Sequence, residues 1–156
     1  VSVRVAGHFG EWLQGRLGPA GPLALVTLAC PALAVRATWS ERAGPFAIDQ
    51  DPCVIDAGRA RAFLAALGLP AAGRVTLRAA MPPGGGAGAS TATLVALARA
   101  AGFDGPTAAL AAACLAAEGA TDPLMQPQPD AHLWAPRAAR CLGALPPPPA
   151  ADIVGG

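Results

Sequence analysis

Met81-Pro82-Pro83-Gly84-Gly85-Gly86-Ala87-Gly88-Ala89-Ser90-Thr91-Ala92 carries the chain from a proline pair through a run of glycines into a helical sequence. Glycine tolerates positive φ and lets a ligand approach the backbone with no Cβ in the way. The first amides of the helix that follows have no intrahelical partners and sit at the positive end of its dipole. A loop of this kind suits a phosphate, although an ordinary connection before a helix has the same composition. Ser90 and Thr91 stand where a hydroxyl either caps the helix or reaches a phosphate-bound metal.

The flanks support strand, loop and helix in that order. Arg74 to Met81 alternates Val75, Leu77 and Ala79 with Thr76 and Arg78, and Ser90 to Ala101 is an almost uncharged helix with Leu94, Leu97 and Ala98 inward and Gly102 at its end. The chain contains no lysine, which excludes a Walker loop. The dinucleotide fingerprint is only approximate, and no acidic residue follows at the required distance on a second strand.

The glycine run resembles the second motif of the GHMP kinases, P-x-G-x-G-L-G-S-S-A-A. Pro82, Gly84, Gly86, Gly88, Ser90 and Ala92 match it, while Ala87 replaces the usual Leu and Ala89 the first Ser. Near the start, Gly10-Glu11-Trp12-Leu13-Gln14-Gly15 resembles the first motif of the family, in the C-G-E-x-x-Q-G form of the L-threonine kinases of the propanediol-utilisation and cobalamin group. His8 and Phe9 stand where those enzymes carry Ser and Cys. Taken alone, His8 reads as a loop histidine satisfied by backbone or water. A third segment, Glu118-Gly119-Ala120-Thr121-Asp122, resembles their E-x-x-x-D. A carboxylate at the end of an apolar helix faces the negative pole of the dipole and is not placed there for stability.

The resemblance implies an α+β fold of the ribosomal protein S5 domain 2-like kind, with ATP and Mg²⁺ as cofactors. The phosphates would lie on Pro83, Gly84, Gly85, Gly86, Ala87, Gly88, Ala89, Ser90 and Thr91. It implies Ser90 and Glu118 as Mg²⁺ ligands, Asp122 as the catalytic carboxylate, and Gly10, Glu11 and Gln14 as contacts to a small-molecule hydroxyl substrate such as L-threonine. A nucleotide-binding or scaffold module of the same fold, without catalysis, is the alternative.

The rest of the chain is read as support. Ser2 to Ala6 reads as a short strand, and Leu23 to Ala29 and Leu33 to Trp39 as two strands broken at Cys30-Pro31. Together they suggest an antiparallel sheet. Glu41 to Val54 reads as irregular, its acids Asp49 and Asp51 solvated, with Asp56 the N-cap of a helix to Leu67 closed by Gly68. On that helix Ala62, Phe63, Ala66 and Leu67 share a face, while Arg59 and Arg61 lie outside it. Thr107 to Glu118 forms a further helix, Leu133 to Ala135 a short strand, and Arg137 to Leu142 a helical turn, with Arg137 and Arg140 on the surface.

At 156 residues, 53% apolar and 13% charged, the chain supports a core built mainly from Leu, Val and Ala. A net charge of +1 with scattered arginines is no footprint for nucleic acid. The cysteines, with no C-x-x-C, read as reduced core thiols, and His8 and His132 do not complete a zinc set. No segment is apolar enough to span a membrane, so a cytoplasmic protein is expected. Residues 1–145 read as an N-terminal ATP-binding domain. Residues 146–156 read as a proline-rich connector and a strand, Asp152 to Val154, opening a C-terminal domain absent from this chain.

Overall fold

The computed structural model describes residues 1–41 and 43–154. The fold is α+β, a mixed sheet with its helices on one face. In chain order the elements are β1 (Ser2–Arg16), β2 (Leu23–Glu41), β3 (Ala47–Asp51), α1 (Ala57–Ala66), β4 (Arg74–Ala79), α2 (Ala89–Ala101), α3 (Thr107–Glu118), a 3₁₀ turn (Pro129–Ala131), β5 (His132–Ala135) and β6 (Arg140–Ala144).

β2 organises the sheet. One edge pairs antiparallel with β1, and the other takes β4 beside Val35 to Glu41 and β5 at Leu25. The expected break at Cys30-Pro31 does not occur. Gly7 opposes Cys30 while Ala6 opposes Ala34, so residues 31–33 fall outside the ladder and Pro31 is not asked for a hydrogen bond. β1 likewise does not stop at Ala6. It continues to Arg16 through irregularities between His8 and Leu13, and Gly10 supplies a positive φ of 79° within them.

Three further expectations are corrected. Ala47–Asp51, read as irregular, is a strand parallel to β4, with Ile48 opposite Val75, so the sheet is mixed. α1 makes the crossover that parallel pairing requires. Arg140–Ala144 forms β6 against β5 in place of a helical turn, and Asp152–Val154 form no strand. Gly155 and Gly156 lie outside the described residues.

Helix boundaries follow local chemistry closely. The Asp56 carboxylate accepts from the Arg59 amide at 2.8 Å and starts α1. Its buried face is Ala60, Phe63 and Leu64, and the expected Ala62 and Ala66 are exposed. α2 packs on β1, β2 and β4 and against α3. Leu94, Val95 and Leu97 are fully buried there, as its lack of charge requires. α3 buries Leu110, Ala111 and Cys114. All four cysteines are free, but only Cys114 is buried, and Cys53 and Cys141 are exposed. Among the described residues, no helix is long and apolar enough to cross a membrane.

Candidate active site

β4 delivers the chain into the glycine loop and α2 takes it away. Gly84, Gly86 and Gly88 all adopt left-handed backbone conformations, and Gly88 is the N-cap of α2 with no side chain closing the helix end. The first capping bond is donated by Ala92 to the Gly88 carbonyl at 2.8 Å, so the amides of Ala89, Ser90 and Thr91 have no intrahelical partner. They open onto a cleft of about 350 Å³, which Arg59, Glu118 and Asp122 also line.

Glu118 does not fray into solvent. It ends α3 facing the start of α2, and Thr91 Oγ1 lies 3.2 Å from each of its carboxylate oxygens and donates to it. The same hydroxyl receives the Asp122 amide at 3.5 Å and lies 3.4 Å from Thr121 Oγ1. Thr91 therefore links the two acids and caps nothing. Ser90 Oγ is buried near Glu118 but makes no hydrogen bond of normal geometry. An orphaned hydroxyl in that position is a feature that a ligand would satisfy.

Asp122 sits in a turn fixed from behind. The Trp134 indole N–H donates to the Thr121 carbonyl at 2.6 Å, the Thr121 amide to Pro136 at 3.0 Å, and Arg99 to the Met125 carbonyl at 2.8 Å, while Leu124 and Met125 are buried. Its carboxylate Oδ2 lies 3.2 Å from His8 Nε2. His8 is buried, its amide donates to the Ala87 carbonyl at 3.1 Å, and β1 is thereby fastened to the glycine loop.

Burial raises the Glu118 carboxyl from the ordinary range to about 7, and Asp122 pushes it the same way, against the opposing pull of Ser90, Thr91 and Arg59. Burial alone would depress His8, but the hydrogen bond and charge of Asp122, with Glu11 beyond, outweigh it and raise its pKa. The Cys114 thiol is pushed up to about 12 by burial and by Glu118.

A carboxyl whose pKa is raised on folding destabilises the fold as pH climbs from its unfolded value to its folded one, and by a constant amount above that. For metal-free Glu118 that window runs from 4.5 to about 7. At about 1.4 kcal/mol per pKa unit the penalty reaches roughly 3 kcal/mol. Glu118→Gln is therefore expected to be more stable than the parent protein at pH 8 by up to that amount and equal to it near pH 4. Thermal melts at both pH values check this, and a pH-independent difference would contradict it.

The structure brings most of the sequence-derived candidates together. Of residues 83–91 all but Gly85 line the cleft, and Gly85 lines an adjoining cavity of about 330 Å³ with Phe9, Gly10, Leu33 and Met81. Glu11 lies 3.8 Å from His8 Nδ1. Gln14 is exposed farther along β1 and lines neither cavity. Two residues escaped sequence reasoning. His8 reads as an isolated loop histidine because its partner lies 114 positions away. Arg59 reads as an outward helix residue, yet its Nη2 donates to the Ala117 carbonyl at 2.7 Å beside Glu118.

No family model and no curated protein matches the chain. Among solved structures it is similar to mevalonate kinase from methicillin-resistant Staphylococcus aureus MRSA252, with 18% identity and a TM-score of 0.43 over 75% of this chain and 44% of that one. It is also similar to phosphomevalonate kinase from Streptococcus pneumoniae, with 16% identity and a TM-score of 0.43 over 75% of this chain and 40% of that one. The chain thus spans less than half the length of either kinase, and a likeness this distant leaves the function to be argued from the cleft itself.

Proposed function

We propose that this chain is the ATP-binding part of a GHMP-type kinase, of the ribosomal protein S5 domain 2-like fold, that transfers the γ-phosphoryl group of ATP to a small hydroxyl acceptor, with L-threonine the first candidate. The observation that carries the reading is the convergence, on one cleft, of the free amides at Ala89 to Thr91 with the carboxylates of Glu118 and Asp122. Amides aimed at a common point stabilise phosphate oxygens without reorganisation. Arg59 adds a cation on the same wall.

The donor set fits Mg²⁺, which takes hard oxygen ligands and would supply charge neutralisation at the transferred group when bound. Ser90 Oγ and Glu118 would hold it, the first being an orphaned hydroxyl and the second a carboxylate with a raised pKa that a cation would lower. Asp122, across the cleft, would orient the acceptor hydroxyl and take its proton. In this reading residues 1–145 form the ATP-binding domain, residues 146–156 begin the connector, and a further domain completes the acceptor pocket.

The test is phosphoryl transfer from MgATP to L-threonine by the protein together with its remaining domain, followed by ³¹P NMR. A phosphomonoester product is expected. Nucleotide binding with no transfer to L-threonine or to any of a panel of small alcohols would make the chain a non-catalytic nucleotide-binding module.

A further inference from the structure

We infer that His8 is a positioning residue for Asp122: its Nε2–H fixes one carboxylate oxygen and leaves the other to face the acceptor. The role rests on the kinase reading above, but the contact on which it depends does not.

The tautomer follows from what each ring nitrogen meets. The Gly10 amide points at Nδ1 from 3.2 Å, and an N–H facing that nitrogen requires a lone pair there. The neutral ring then carries its proton on Nε2, 3.2 Å from Asp122 Oδ2. Asp122 Oδ1 makes no hydrogen bond among the described residues and stays available to the cleft. Of the other ionisable groups, Glu11 approaches Nδ1 only to 3.8 Å, beyond hydrogen-bond distance.

The surrounding backbone is shaped to hold the ring. A Cβ on Gly88 would come within 2.6 Å of His8 Cδ2 and 2.8 Å of Nε2. A Cβ on Gly7 would meet the Ala87 carbonyl oxygen. Gly88 thus makes room for the imidazole, and Gly7 lets β1 lie close against the loop. The His8 amide bonded to Ala87 sets its height, and the side chain is 4% exposed. A side chain so enclosed has little rotamer freedom to lose, so it holds the carboxylate at low entropic cost.

His8, Glu11 and Asp122 also present ligand atoms within 4.8 Å of one another, which suggests a metal site. The Gly10 amide weighs against it. Coordination through Nε2 would move the ring proton to Nδ1, where it would oppose that amide.

The experiment has two arms. In ¹⁵N-labelled protein, the imidazole resonances are assigned through a His132→Asn variant and recorded above the His8 pKa, with and without Zn²⁺. A protonated Nε2 and a bare Nδ1 are expected, unmoved by stoichiometric Zn²⁺. The opposite tautomer, or a Zn²⁺-dependent shift of Nε2, would overturn the assignment. In the second arm, MgATP turnover with L-threonine is compared for His8→Ala and His8→Gln. Loss of the hydrogen bond is expected to lower kcat by on the order of tenfold with KM for MgATP unchanged, and Gln, which retains an N–H donor, is expected to recover most of that loss. Equal defects in Ala and Gln, or a change confined to KM, would reduce His8 to a packing residue. Absence of transfer by the parent protein, with the Nε2–H tautomer present, would remove the kinase reading and with it the positioning role, leaving the His8–Asp122 hydrogen bond as a structural contact.

Discussion

Asp122→Asn should lower turnover by on the order of a hundred- to ten-thousand-fold, the range for losing a general base, while MgATP binding survives. The substitution keeps the size of the side chain, and its amide oxygen still accepts from His8 Nε2. The turn that carries it is held by groups that do not change, namely the Trp134 indole on the Thr121 carbonyl and the buried Leu124 and Met125. The loss should therefore appear in kcat, because the amides at Ala89 to Thr91 that would receive the phosphates are untouched. Single-turnover kinetics beside a nucleotide titration separate the two. Equal loss of binding and turnover would assign Asp122 to structure.

Gly88→Ala is the second large expectation, and Gly86→Ala is its control. Both glycines have φ near +69°, at 69° and 68° respectively, so each substitution carries the left-handed penalty of about 1–2 kcal/mol. Only at Gly88 is the space already occupied. The new Cβ would lie within 2.8 Å of His8 Nε2 and Leu124 Cδ1, whereas nothing lies within 4 Å at Gly86. Overpacking of that kind adds about 1–3 kcal/mol. Gly88→Ala is therefore expected to melt on the order of 10 °C below the parent protein, and Gly86→Ala by clearly less. Equal melting temperatures for the two variants would mean that the imidazole is not seated against the loop.

Much of the cleft was legible from local sequence, because local rules govern its parts. The glycine run before an uncharged helix specifies a strand–loop–helix passage with free amides, and Asp56 beside Ala57 to Ala66 specifies a capped helix. The closing of α1 by Gly68 and of α2 by Gly102 belongs to the same class, since both glycines adopt left-handed conformations. What resisted reading depends on distant pairing. Pro31 looks like a strand break until β2 is seen to bulge there, its residues 31–33 looping out while Ala6 and Gly7 of β1 stay paired on either side. Ala47–Asp51 has neither alternation nor β-branched density and becomes a strand because β4 offers it a parallel edge. Arg140–Ala144 extends only because β5 lies alongside.

The same division holds inside the site. Glu118 and Asp122 are close in sequence, and their joint approach to the loop follows from one helix end. His8 enters from β1, and no spacing rule links it to residue 122. Thr91 looks like a capping or metal-facing hydroxyl from its position, but the depth of Glu118 turns it inward as a hydrogen-bond donor. Gln14 shows the converse, since motif resemblance groups it with Glu11 although the strand carries it, exposed, past both cavities.

The central claim, that the free amides after Gly86 receive a triphosphate, is tested most directly by titrating ¹⁵N-labelled protein with a non-hydrolysable ATP analogue and Mg²⁺. Saturable shifts confined to the amides of Gly84 to Thr91 and to the Glu118–Asp122 turn are what the cleft predicts. No binding, or shifts centred elsewhere on the molecule, would contradict it.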